Sequence, residues 1–173
     1  MTRDRLFRNL IDERDKKVYI ETSVVSYYTG EISRDIVIAG HQVSTRNFWN
    51  KLISNDLIPV ISVLVLKEVS QGDIEQAKKR KDAIQGFVVL SISKEAEELS
   101  VLLIKNHGIP SEFPEDALHI AIASVEKVEF IATWNFKHMN NPFTKNKIRE
   151  IIEKAGYTCP ILASPEELLG EEL

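Results

Sequence analysis

The sequence predicts an α/β sandwich on a mainly parallel central sheet, and three observations predict it. Short runs rich in β-branched and aromatic residues recur at residues 18–20, 57–62, 87–90, 129–133 and 161–162. Stretches with helical apolar periodicity separate each run from the next, and crossovers between parallel strands need such stretches. At 173 residues and 43% hydrophobic content, the chain can bury one full core without disulfides or a structural metal. No repeat, low-complexity tract or internal linker interrupts the pattern, so residues 18–173 read as one domain. Residues 1–17, where Arg3, Arg5, Arg8 and Arg14 mix with Asp4, Asp12, Glu13 and Asp15, read as a charged N-terminal extension.

The first strand, Val18-Tyr19-Ile20, runs into Glu21-Thr22-Ser23, and Thr22 or Ser23 can cap a helix beginning at Val24. Glu21 then stands at the carboxyl end of the strand, where ligand sites of open α/β sheets lie. Ile36, Val37, Ala39, Val43, Phe48, Trp49, Leu52 and Ile53 recur at helical spacing and predict a long helix over 35–54. After the second strand, a short helix from Ser62 to before Gly72 carries Glu68, and a further helix spans 73–85. Its Lys78-Lys79-Arg80-Lys81 run covers a full turn and reads as a solvated surface, with RNA backbone contact as the functional alternative. Residues 93–106 form an acidic-headed helix closed by His107-Gly108.

The next helix, from Pro114 to about Lys127, places Glu115 and Asp116 at the positive end of its dipole and is apolar on most sides thereafter. Asp116 and His119, three residues apart, share one face. Beyond the fourth strand, Trp134-Asn135 marks its end, residues 136–145 read as a loop interrupted by Pro142, and an amphipathic helix spans 146–155. Ser164-Pro165-Glu166-Glu167-Leu168 reads as a capped final turn.

A formal charge of −4 and a pI near 5.6 give no global attraction to polyanions. Any nucleic-acid binding must come from local basic patches or bound metal. Cys159 is the only cysteine, which excludes an internal disulfide and a thiolate zinc cluster and suits a reducing cytosol. No stretch is long enough to span a bilayer or patterned as a signal peptide, so a cytoplasmic protein with no membrane role is expected. The seven glycines are too dispersed for a dinucleotide fingerprint or a phosphate-binding loop. There is no G-x-S-x-G elbow, and His41, His107, His119 and His138 lack the spacing of a helical zinc motif.

What remains is acidic. Glu21 ends strand one, Glu68 follows strand two, Asp116 opens the helix before strand four, and Asn135 ends strand four. If those strands are neighbours, the four side chains converge at one sheet edge. Clustered carboxylates need a metal or a raised pKa, and all-oxygen ligands favour Mg²⁺ or Mn²⁺.

At this point the sequence resembles the PIN-domain family, in particular the VapC-like toxin ribonucleases of toxin–antitoxin systems. The resemblance runs from about Val18 to Leu168. It rests on Val18-Tyr19-Ile20-Glu21-Thr22-Ser23, Leu66-Lys67-Glu68-Val69, Glu115-Asp116-Ala117-Leu118-His119-Ile120-Ala121 and Thr133-Trp134-Asn135-Phe136-Lys137-His138, in that order and spacing. It implies a three-layer α/β/α sandwich and an Mg²⁺- or Mn²⁺-dependent acidic site that hydrolyses RNA. It also implies a small antitoxin protein as partner. The family pattern has an aspartate where this chain has Glu21, and usually an acid where it has Asn135.

On that resemblance, Glu21 and Asp116 bind the metal, Glu68 binds it or orients a water, and Asn135 contributes through its amide or a bound water. Thr22 or Ser23 would hydrogen-bond a carboxylate or phosphate, or else cap a helix. His119 reads as structural, with contact to the substrate or support of a metal ligand as the alternative, and Trp134 as a base-stacking residue or as core. Tyr27, Val37, Phe48 and Trp49 offer apolar material for a homodimer face or for the core. The competing readings are a PIN-like domain that binds RNA or protein without cutting, and a purely structural interaction module.

Overall fold

The computed structural model describes residues 16–54 and 57–170. All but the last two residues of the expected N-terminal extension lie outside the described residues. Five strands, β1 (Lys17–Ile20), β2 (Ile58–Ser62), β3 (Val88–Leu90), β4 (Phe130–Ala132) and β5 (Ile161–Ala163), form one sheet in the order β3-β2-β1-β4-β5. Every pairing is parallel, with Tyr19 opposite Val60 on one side and Ile131 on the other. β1 is therefore central, and Val18, Tyr19 and Ile20 are fully buried, as the continuous apolar run of a strand covered on both faces requires.

The helices are α1 (Thr22–Thr29), α2 (Ile36–Ile53), α3 (Val63–Val69), α4 (Ile74–Ala83), α5 (Lys94–Lys105), α6 (Pro114–Val125), α7 (Pro142–Lys154) and α8 (Pro165–Leu169). Their principal mutual contacts fall into two groups, α1 to α4 with α8, and α5 to α7. These are the outer layers of an α/β/α sandwich. No helix among the described residues is long and apolar enough to cross a membrane.

Local chemistry explains most boundaries. Asp35, Ser62, Asp73, Ser93 and Ser164 each accept a backbone N–H in the first turn of the helix they precede, and Ser164 with Glu167 forms a complete capping box. Three expectations are corrected. Pro142 does not interrupt a loop; it sits in the first turn of α7, where it lacks no needed N–H, and Asn141 caps that turn. The cap of α1 is Glu21, not Thr22 or Ser23, which are helical. At the end of α5, His107 carries the positive φ of 56° while Gly108 sits in tight packing: a Cβ there would lie 3.2 Å from the Leu103 carbonyl. Arg80 is not a freely solvated charge, because its guanidinium donates to the carbonyls of Val69 and Gln71 and closes α3. Phe48 and Trp49 belong to the core, whereas Val37 is exposed.

Candidate metal centre at the sheet edge

In the strand order β3-β2-β1-β4-β5, the chain leaves β1 toward β2 while β4 pairs on the opposite side. The connections therefore part between β1 and β4, the topological switch point at which α/β sheets open a crevice beyond the strand carboxyl ends. Glu21 follows β1 at that place, and its N–H still donates to Ala132 of β4 at 3.1 Å. Its carboxylate accepts from the N–H of Ser23 at 3.0 Å, from the Ser23 hydroxyl, and from the Thr133 hydroxyl at 2.8 Å. A buried carboxylate with three donors is held in one orientation.

Glu68, one residue from the end of α3, accepts from the Thr22 hydroxyl and from His119 Nε2 at 3.1 Å. Thr22 and Ser23 thus act on carboxylates, each holding a different one. Since a carboxylate only accepts, Nε2 of His119 carries the proton. Nδ1 of the same ring lies 2.7 Å from the Tyr19 hydroxyl, which lies 2.6 Å from Ser62 Oγ, which in turn accepts from the N–H of Val65. This chain runs from the centre of the sheet to the acidic crevice. Burial pushes the Tyr19 phenol well above its ordinary range, so its hydroxyl stays protonated.

At Tyr19 burial and the nearby carboxylate charges act in the same direction, whereas at the His119–Glu68 pair they oppose each other. Burial disfavours the charged form of His119, but the bond to Glu68 and the charges of Glu21, Glu68 and Asp116 outweigh it, and its pKa is raised. Burial likewise works against the Glu68 carboxylate, yet His119, the Thr22 hydroxyl and Lys67 prevail, and its pKa is lowered. A hollow of about 220 Å³, lined by Leu64, Lys67, Glu68, Gln71 and Glu115, opens beside this carboxylate.

Asp116 occupies the first turn of α6. Its Oδ2 accepts from Asn135 Nδ2 at 2.9 Å and lies 3.0 Å from His138 Nδ1. Asn135 in turn accepts the N–H of His138 at 3.0 Å on its amide oxygen, and gives its own N–H to the Thr133 hydroxyl at 3.0 Å. Thr133 therefore joins Glu21 to the Asn135–Asp116 pair. One ligand atom each from Glu21, Glu68 and His119 lie within 4.8 Å of one another. Asp116 stands outside that trio but within reach of its charge, since it acts on His119.

The sequence reading missed Thr133 and His138. Their signal was positional: Thr133 two residues before Asn135, His138 three residues after it. Trp134, read as a base-stacking candidate or core, is 7% exposed, stacks on His41 with centroids 4.2 Å apart, and donates its indole N–H to Thr45 at 2.8 Å. Burial pushes the Cys159 thiol up to about 11, so it stays protonated and is a poor nucleophile.

No family model matches the chain, and no curated protein matches it by sequence. A chain in the crystal structure of VapBC2 from Rickettsia felis bound to a DNA fragment from their promoter is similar in fold. The TM-score is 0.55 at 18% identity, over 86% of this chain and 98% of that one.

Proposed function

We infer that the protein is a divalent-metal-dependent endoribonuclease that hydrolyses RNA phosphodiester bonds, the VapC-like toxin of a toxin–antitoxin pair. The observation that carries this reading is the meeting of Glu21, Glu68 and His119, from three separate parts of the chain, within 4.8 Å of one another at the switch point of the sheet, with Asp116 tied to Glu21 through Asn135 and Thr133. Their separation in sequence and their shared hydrogen-bond frame argue against three independent helix caps. The likeness to a VapBC2 chain and the sequence motifs support the PIN-type assignment.

The donor set fits a hard or borderline cation. Carboxylates suit Mg²⁺ and Mn²⁺, while His119, whose Nε2 donates to Glu68 and whose Nδ1 meets Tyr19, orients a carboxylate and leaves no lone pair for the ion. A bound ion would supply an activated water and charge stabilisation at the scissile phosphate. Glu21 and Glu68 would hold it, with Asp116 contributing directly or through water. Ser23, Thr133 and Thr22 fix the two glutamates, and Asn135 with His138 orients Asp116. Asn135 thus aims a donor rather than a lone pair at the acidic group. Lys67, exposed beside Glu68, provides a cation near the path of the RNA backbone. Exposed Ile36, Val37 and Val43 at the start of α2 offer an apolar surface for the antitoxin or a second copy of the chain.

Asp116→Asn tests the assignment. It keeps the shape and the bond to His138 while removing the charge, so RNA cleavage in Mn²⁺ should fall by at least about a hundredfold, about 2.7 kcal/mol of transition-state stabilisation. The fold, read by circular dichroism, should persist. Undiminished cleavage by the purified variant excludes the role. A parent protein that takes up Mn²⁺ in calorimetry without cutting RNA would favour the binding-module reading instead.

A further inference from the structure

Two aromatic groups flank the acidic crevice, and they differ in what they leave open. The Trp134 ring is covered by His41 and nearly closed to solvent. Phe113 is different. It holds the N-cap position of α6, makes no capping bond there, and is 37% exposed. A phenylalanine at an N-cap forgoes a capping bond worth about 1 kcal/mol and leaves part of an aromatic surface in water.

The ring is nevertheless fixed in place. It packs on the imidazole of His138 with centroids 3.8 Å apart, and His138 is the group whose Nδ1 lies 3.0 Å from Asp116. Lys137, next in the chain and exposed, holds its ammonium 5.9 Å from the Phe113 centroid, at the outer limit of a cation–π contact. No salt bridge among the described residues holds that ammonium. A part-exposed aromatic ring, an exposed cation and the carboxylate of the proposed centre are therefore neighbours around His138.

We propose that Phe113, backed by His138, is a stacking platform for one unpaired base of the RNA beside the cleavage site, with Lys137 on an adjoining phosphate. The proposal rests on the ribonuclease reading above and deepens it. Every base presents a π-face, so such a platform is tolerant of sequence but demands an unstacked nucleotide. A continuous duplex keeps its bases stacked on one another and leaves Phe113 with nothing to receive.

The test is binding of an end-labelled RNA of about a dozen nucleotides, within the footprint of single-strand-binding folds, read by fluorescence anisotropy with Ca²⁺ replacing the working cation. The parent protein should bind the single strand more tightly than the same strand in a duplex. Phe113→Ala and Phe113→Leu should both weaken single-strand binding about 5- to 150-fold, the range of one base-stacking contact. Phe113→Trp should retain it. Lys137→Ala should reduce the salt slope by about 0.7, as expected for one phosphate contact on a single strand. Phe143→Ala, a change at an aromatic 92% exposed on α7, serves as the control and should bind like the parent. Equal affinity of parent, Phe113→Ala and Phe113→Leu overturns the platform, as does equal binding of duplex and single strand. Failure of the parent to bind or cut any RNA overturns the ribonuclease reading itself, and the two failures are thereby distinguished.

Discussion

His119 and Glu68, 51 residues apart in sequence, meet at 3.1 Å through Nε2 and Oε2, and the far side of the ring is held by Tyr19 at 2.7 Å. One histidine therefore links the middle strand of the sheet to a carboxylate of the candidate centre. The stability of the metal-free protein should depend on pH through this contact. His119 has a folded-state pKa above its ordinary value of 6.5, so its contribution is complete below that pH and is lost as pH rises through the folded value. Glu68 has a folded-state pKa below its ordinary 4.5, so its contribution is complete above that pH and is lost as pH falls. Urea unfolding in EDTA should show the pair contributing most between about pH 4.5 and 6.5 and less on either side. A parent profile that rises steadily from pH 6 to 9 would contradict the sign for His119.

His119→Ala should remove the alkaline limb of that profile and cost about 1–3 kcal/mol, because the buried Tyr19 hydroxyl and Glu68 each lose a partner. His119→Gln, which can still donate to Glu68, should recover part of the loss without recovering the pH dependence. Chemical denaturation at pH 6 and pH 8 separates the two variants. Identical pH profiles for the parent and the alanine variant would remove His119 as the titrating group.

Much of this arrangement was legible in the sequence, for identifiable reasons. Strand runs and helical spacing respond to burial, so all five strands were placed to within a residue or two, and Asp35, Ser62 and Ser164 signalled their helices by residue type. Pro142 was misread because proline both interrupts and initiates helices, and only the Asn141 cap decides between them. The acids were legible from strand-end positions. The groups orienting them were not. Thr133 and His138 are ordinary in type, and their roles follow from side-chain directions that only the folded chain fixes.

Thr133→Val tests that orienting frame. The change preserves shape but deletes the hydroxyl that donates to Glu21 at 2.8 Å and accepts from the Asn135 N–H at 3.0 Å. Glu21 retains Ser23, so the fold should survive with a loss of about 1–3 kcal/mol. Mn²⁺ affinity, measured by calorimetry, should fall about 10- to 100-fold, the usual cost of losing a group that orients a metal ligand. Thr133→Ser should restore most of it. Unchanged Mn²⁺ affinity in the valine variant would show that Glu21 needs no support from the Thr133 hydroxyl.

The last prediction concerns Asn135. Its amide oxygen accepts from the N–H of His138 while its Nδ2 donates to Asp116 at 2.9 Å. Asn135→Asp keeps the first bond and converts the second into a meeting of two carboxylates. Unit charges a few ångströms apart repel by about 1–4 kcal/mol between water-like and surface-like screening, so the metal-free variant should be less stable than the parent. A cation bound nearby offsets that repulsion, and it stabilises the folded state in proportion to the logarithm of its concentration over its dissociation constant. The rise in melting temperature with added Mn²⁺ should therefore be larger for Asn135→Asp than for the parent, although its starting temperature is lower. If residue 135 only anchors the turn toward His138, the aspartate, which still accepts that N–H, leaves the Mn²⁺ response unchanged. Parallel melting curves for the two proteins across a Mn²⁺ series would thus remove Asn135 from the metal centre while leaving Glu21 and Glu68 in it.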